Sequence, residues 1–119
     1  MDPDVVILAG LFGAILSLGV AGYYYCAAFE QARTSFPAAL QGELAARYAM
    51  DTLIWTPAVP ALARRNYLRS HVYAGVAFAC LAMVAFEHAS SNAALLFGGI
   101  AAFAIALTLR CWRKLRSSA

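Results

Sequence analysis

The sequence predicts an all-α integral membrane protein with three transmembrane helices, an N-terminal span plus a C-terminal helical hairpin, and a cytoplasmic helix between spans 1 and 2. Two observations carry this fold class. The 119 residues are 63% hydrophobic and only 13% charged, too apolar for an ordinary soluble domain. The nine basic residues, moreover, are confined to two places. Arg33, Arg47, Arg64, Arg65 and Arg69 lie between the first long apolar stretch and the second, and Arg110, Arg113, Lys114 and Arg116 follow the last. The remaining flanks, Met1 to Asp4 and Glu87 to Asn92, hold no Lys or Arg and carry Asp2, Asp4 and Glu87. Basic loops stay on the cytoplasmic side. The expected orientation therefore has the N-terminus outside and the C-terminus inside, in a single membrane domain covering 1–119. Arg in preference to Lys and abundant Ala suggest a GC-rich bacterial genome, and hence the inner membrane of a bacterium.

The first span, 5–29, carries no charge and reaches about 37 Å as a helix, enough to cross with some tilt. Pro3 suits a first helical turn, where its missing N–H is not needed. Tyr23, Tyr24 and Tyr25 form an aromatic cluster at the expected headgroup level. The second span, 68–86, is about 28 Å long with Arg69 snorkelling toward water. The third, 93–109, is about 25 Å, extended to the interface by Cys111 and Trp112. Glu87-His88-Ala89-Ser90-Ser91-Asn92 between them suits a tight turn, so the two spans run antiparallel. Neither has the polar face an interfacial helix needs.

The segment between spans 1 and 2 is polar enough to lie outside the hydrocarbon. Ser35-Phe36-Pro37 reads as a helix start, with Ser35 as cap and Pro37 in the first turn. This cytoplasmic helix, 36–56, stops before Pro57, because the residue before a proline is pushed away from helical angles. Pro60 opens the next helix, expected to run unbroken from Ala61 through Phe86 and to project beyond the membrane. On a helical wheel Phe36, Leu40, Leu44 and Ile54 share an arc with Glu43, Arg47 and Asp51, while Ala38, Gly42, Ala45, Ala46, Ala49 and Leu53 lie opposite. The mixed arcs argue against a simple surface helix. The small-residue side permits close approach to another helix of this chain or of a partner. Glu43, Arg47 and Asp51 form an i, i+4 ladder of a few tenths of a kcal/mol per pair, roughly what a solvated face provides.

Several function classes find no support. A pI of 9.0 would suggest nucleic acid in a soluble protein, but here the basic residues border apolar segments, and anionic lipid is the expected counter-charge. Cys26, Cys80 and Cys111 show no CxxC spacing, and a cytoplasmic setting disfavours a disulfide. Acidic Asp2 and Asp4 in place of a basic n-region, and Tyr24-Tyr25 ahead of Cys26, argue for a retained anchor rather than a cleaved signal. No charge lies deep in any span, as an ion path or proton relay would need. His71 and His88 lie about 25 Å apart on one helix and cannot ligate one iron within the chain, although a symmetric dimer brings His71 to its copy. A divalent site from Asp2, Asp4, Glu87 and His88 lacks motif spacing. No G-x-S-x-G, H-E-x-x-H or phosphate loop is present, so no catalytic residue, metal or cofactor is expected.

The sharpest positive pattern is the placement of small residues. Ala9, Gly13, Ser17 and Ala21 repeat at four-residue spacing on span 1, and Ala94, Gly98, Ala102 and Ala106 on span 3. Such helix-packing stripes let backbones approach closely, within the chain or against another subunit. Among 27 alanines some of this spacing arises by chance. Arg64, Arg65 and Arg69, just before span 2, are the candidate lipid-headgroup residues, at roughly 1 kcal/mol each on an anionic surface. The order of features, an N-terminal span, then Phe36-Pro37 and Leu40, then Leu62-Ala63-Arg64-Arg65 and Leu68 entering another span, resembles the universal stress protein B family of small bacterial inner-membrane proteins. The resemblance covers about two thirds of the chain and rests on layout. The third span here is additional to that family's two-span plan, and no catalytic residue carries over.

The expected function is that of a non-enzymatic accessory or assembly subunit packing against a larger membrane complex. Membrane lipids and other integral subunits, or a second copy, are the expected partners. The alternatives are a self-associating membrane stress-response protein, which the resemblance implies, and a cofactor-binding redox subunit.

Overall fold

A computed structural model describes residues 2–87 and 91–117, with the side chains of Ser91 and Ala94 left out of the description. Four α-helices follow one another: α1 (Pro3–Arg33), α2 (Glu43–Leu53), α3 (Ala61–Glu87) and α4 (Ser91–Ser117), with a 3-10 turn at Ala38–Leu40 ahead of α2. No strand occurs among the described residues. Three helical stretches, Pro3–Arg33, Ala61–Glu87 and Leu95–Ser117, are long and apolar enough to cross a membrane. The fold is thus all-α with an N-terminal span, a helical hairpin and a short helix between, in a body 52 Å long.

Each long helix outruns its apolar segment because local chemistry lets it. At the start of α1 the Asp2 carboxylate accepts from the Asp4 backbone N–H at 3.0 Å, and Pro3 occupies the first turn. At its other end Glu30 to Arg33 stay helical, and Arg33 sits where a cation suits the helix dipole. The expected unbroken helix from Ala61 is present and extends to Glu87.

α3 is the central helix. It packs along α1 on one side and α4 on the other, while α1 and α4 do not pack on one another among the described residues. The α1 surface against α3 is a narrow line through Gly10, Ala14, Ala21, Ala28 and Ala32, all buried. Its steps of four and seven residues keep the line within about 40° of arc, the condition for a seam between two long helices. At Gly10 the backbones come so close that an added Cβ would collide with the Val84 side chain and meet the Cys80 carbonyl at 3.3 Å. α3 meets α4 in the same manner, a Cβ at Gly75 lying 3.6 Å from that of Ala104.

Between α1 and α3 the chain departs from the expectation. The cytoplasmic helix expected over 36–56 is instead the 3-10 turn and an eleven-residue α2. Ser35 caps no helix: its N–H closes a turn onto the Ala32 carbonyl at 2.9 Å. Pro37 and Gly42 are both extended, with ψ of 144° and 146°. The Gln41 side chain donates to the Phe36 carbonyl at 2.9 Å, and Arg33 Nε donates to the Gln41 carbonyl at 2.6 Å. These bonds satisfy carbonyls after α1 and fix a tight corner, which a helix starting at Phe36 would forfeit.

α2 then folds back over the basic end of the three long helices. Ala46, Met50 and Ile54 point inward, against Ala28, Phe29, Ala32, Ala63, Tyr67 and Cys111. The inward face therefore matches the small-residue arc of the wheel only in part, at Ala46 and Leu53. Ala38 and Gly42 are exposed, Ala45 and Ala49 half-buried, and Met50 and Ile54 supply most of the buried volume. This compact core sits where the long helices rise above their apolar stretches.

Candidate functional site

Two features of the long helices stand out: the faces they turn outward, and the groove between α1 and α4.

On α1 the residues singled out for helix packing take unequal places. Ala21 is buried in the seam, Gly13 and Ser17 are half-buried, and Ala9 is exposed. A strict four-residue repeat drifts about 40° per step around a helix, so the stripe starts off the seam at Ala9 and enters it at Ala21. On α4 the picture reverses. The contacts with α3 run through Ala101, Ala104 and Cys111, whereas Ala102 and Ala106 are exposed and an added Cβ at Gly98 would meet nothing within 4 Å. Drifting about 40° per step, Gly98, Ala102 and Ala106 lie roughly 110°, 150° and 170° around the helix from the centre of the α3 contact. Ala94, seven residues before Ala101, falls by the same count on the α3 side, and its side chain lies outside the described residues.

Because α1 and α4 lean on α3 but not on each other, a groove of about 510 Å³ opens between them. Ala74 and Phe78 of α3 form its floor, with Gly22 and Tyr25 of α1 on one wall and Phe103 and Leu107 of α4 on the other. Its polar atoms gather near the basic end, at Ser70 and His71. Ser70 Oγ donates to the Tyr67 carbonyl at 2.6 Å, and His71 Nδ1 lies 3.0 Å from the same oxygen. A carbonyl only accepts, so that contact selects the tautomer with its proton on Nδ1, in which Nε2 is an acceptor.

Above the groove the polar groups form a chain across α2, α3 and α4. The Tyr67 ring packs edge-on to His71, centroids 4.5 Å apart, and its hydroxyl donates to Asp51 Oδ1 at 3.2 Å. Asp51 Oδ2 lies 3.8 Å from Arg110 Nη1. The expected Glu43, Arg47, Asp51 ladder is therefore only half made. Glu43 and Arg47 pair at 3.4 Å, but Asp51 is drawn to Tyr67 and Arg110 instead. Arg47 also lies over the Phe29 ring at 4.8 Å, and Lys114 over Trp55 at 5.9 Å. Cations stacked on aromatic faces thus line the rim of this core.

The three candidate headgroup arginines differ in setting. Arg65 is exposed, Arg69 donates to Asn66 Oδ1 at 3.2 Å and lies over the Tyr24 ring at 5.6 Å, and Arg64 is half-buried with Nε lacking a hydrogen-bond partner. His88 lies outside the described residues. Among the described residues no three His, Cys, Asp or Glu side chains converge as a metal site would require.

The sequence reading did not single out Asn66, Gln31 or Tyr67. Asn66 Nδ2 donates to Gln31 Oε1 at 3.0 Å, a direct tie between α3 and α1. The available signal was spacing: Ala63, Tyr67, Ser70 and Ala77 step by four, three and seven residues, and all four are buried. Comparison of the chain with family models, with curated proteins and with solved structures finds no match.

Proposed function

We propose that this chain is a non-enzymatic accessory or assembly subunit of a larger complex in a bacterial inner membrane, oriented with its basic end and C-terminus in the cytoplasm. The observation that carries the reading is the outward stripe on α4. Ala102 and Ala106 are exposed, and half-buried Gly98 leaves nothing within 4 Å of an added Cβ, so all three have room for a neighbour. Lipid gains little from a small-residue surface, whereas a second helix gains close backbone approach. The orientation is supported by the basic residues, which α2 and the ends of α3 and α4 gather at one end of the body.

Mild detergent extraction followed by native electrophoresis and mass spectrometry tests the proposal. The wild-type chain is expected to migrate with a larger assembly, and a Gly98→Leu, Ala102→Leu double variant to migrate alone while keeping its helix content. A small homo-oligomer in place of a large assembly would favour a self-associating protein. Migration as a monomer in both forms would reject a partner on this face.

A further inference from the structure

We propose that the groove between α1 and α4 binds a single-chain amphiphile whose head is a neutral hydroxyl donor, its chain lying along the apolar walls and its O–H donating to His71 Nε2. The inference rests on the membrane reading but not on the α4 partner face, which lies about 150° around that helix from the groove.

The size and lining come first. A groove of about 510 Å³ falls within the usual range for small-molecule sites, and its walls are aliphatic and aromatic apart from its basic end. Its long opening between two helices that do not touch admits a chain sideways from the bilayer. The head chemistry follows from hydrogen bonds already assigned. Ser70 Oγ and His71 Nδ1 are both committed to the Tyr67 carbonyl, so neither donor is available to a ligand. Nε2 is left as an acceptor, and no protein group bonds it among the described residues. An acceptor calls for a donor.

Depth selects which donor. His71 lies 16 residues from Glu87, about 24 Å along α3, in a hydrocarbon layer about 30 Å thick. The ring therefore sits just below the headgroup level on the basic side. A charged ammonium is costly at that depth, whereas a neutral hydroxyl anchored to a chain reaches it readily. A phosphate offers mainly acceptors and has no bond to make to Nε2.

The full chain in phospholipid nanodiscs is exposed to dodecanol carrying a diazirine in its chain, and adducts are mapped by mass spectrometry. Adducts are expected at Phe78 and Phe103. Unlabelled dodecanol should compete about tenfold better than dodecyl methyl ether, which lacks the donor. His71→Phe should equalise the two competitors, and His71→Gln, which keeps an acceptor, should retain the preference. Gly22→Leu fills the groove from a position where a Cβ meets nothing within 4 Å, so it should lower adduct yield with helix content unchanged. A short-chain quinol and a monoacylglycerol, each run against its methylated counterpart, distinguish the natural sources of such a head. Ala102→Leu, outside the groove, should leave the adducts unaltered, which separates failure of this site from failure of the partner face. Equal competition by alcohol and ether in the wild type, or full labelling of Gly22→Leu, would overturn the proposal.

Discussion

Gly10 and Gly98 show how one residue type serves two ends. Gly10 sits in the α1–α3 seam, where a side chain would collide with Val84, while Gly98 faces open space on α4. Gly10→Leu is therefore expected to lower stability by about 1–3 kcal/mol through overpacking. Gly98→Leu should leave the isolated chain within about 0.5 kcal/mol of wild type. Thermal unfolding in a mild detergent compares them, and equal losses would contradict the seam described here. A second residue-scale expectation concerns the bond from Tyr67 to Asp51. Tyr67→Phe removes a hydroxyl that donates across α3 and α2, for an expected loss of about 1 kcal/mol. The same unfolding transition reads it, and an unchanged midpoint would mean that Tyr67 contributes through its ring alone. Only part of this detail was legible in the sequence. The small residues were visible, but a four-residue repeat does not reveal which of its members lie on a seam that follows a heptad-like path.

α2 is the element on which sequence and structure diverge most. Ser35 and Pro37 carry the ordinary signals of a helix start, yet the carbonyls after α1 are taken by Gln41 and Arg33 side-chain and main-chain contacts five to eight residues on. Side-chain bonds of this kind within a connecting segment follow no fixed capping pattern, so the boundary lies at Glu43. α3, by contrast, was readable from Pro60 onward, because a proline ahead of an uninterrupted helical stretch marks a start with local chemistry alone. α2 is held by its inward side chains more than by its length, since eleven residues make a marginal helix on their own. Met50 is almost fully buried at 1% exposure, and Met50→Ala is expected to weaken the docking of α2 by about 2–5 kcal/mol. Hydrogen exchange should then accelerate over 43–54 while the long helices keep their protection. Uniform acceleration along the whole chain would instead show that α2 and the spans fold as one cooperative unit.

At the scale of the molecule, one helix organises the rest. α3 carries α1 and α4 on its two sides, and α2 closes the basic end, so the groove and the free α4 face are consequences of the same asymmetry. The three-span plan and the gathering of positive charge were legible from composition and order alone. The groove was not, because it depends on which two of three helices fail to touch. Orientation is open to a direct check in a chain whose native cysteines have been replaced. Asp2→Cys and Asn92→Cys should react with an impermeant thiol reagent in intact cells, and Ser117→Cys only after permeabilisation. Labelling of Ser117→Cys in intact cells would invert the topology proposed here.

The most direct test of the central claim, that α4 turns its small-residue face to another protein, is photocrosslinking along that helix in the native membrane. A photoreactive residue placed singly at Gly98, Ala102 and Ala106 should yield protein adducts, and one at Leu96 or Phe103, exposed about 100–120° around the helix from the middle of that stripe, mainly lipid adducts. Adducts that follow the helical period of the outward stripe are the predicted result. Lipid adducts alone at Gly98, Ala102 and Ala106 would contradict the claim and leave the stripe a by-product of an alanine-rich chain.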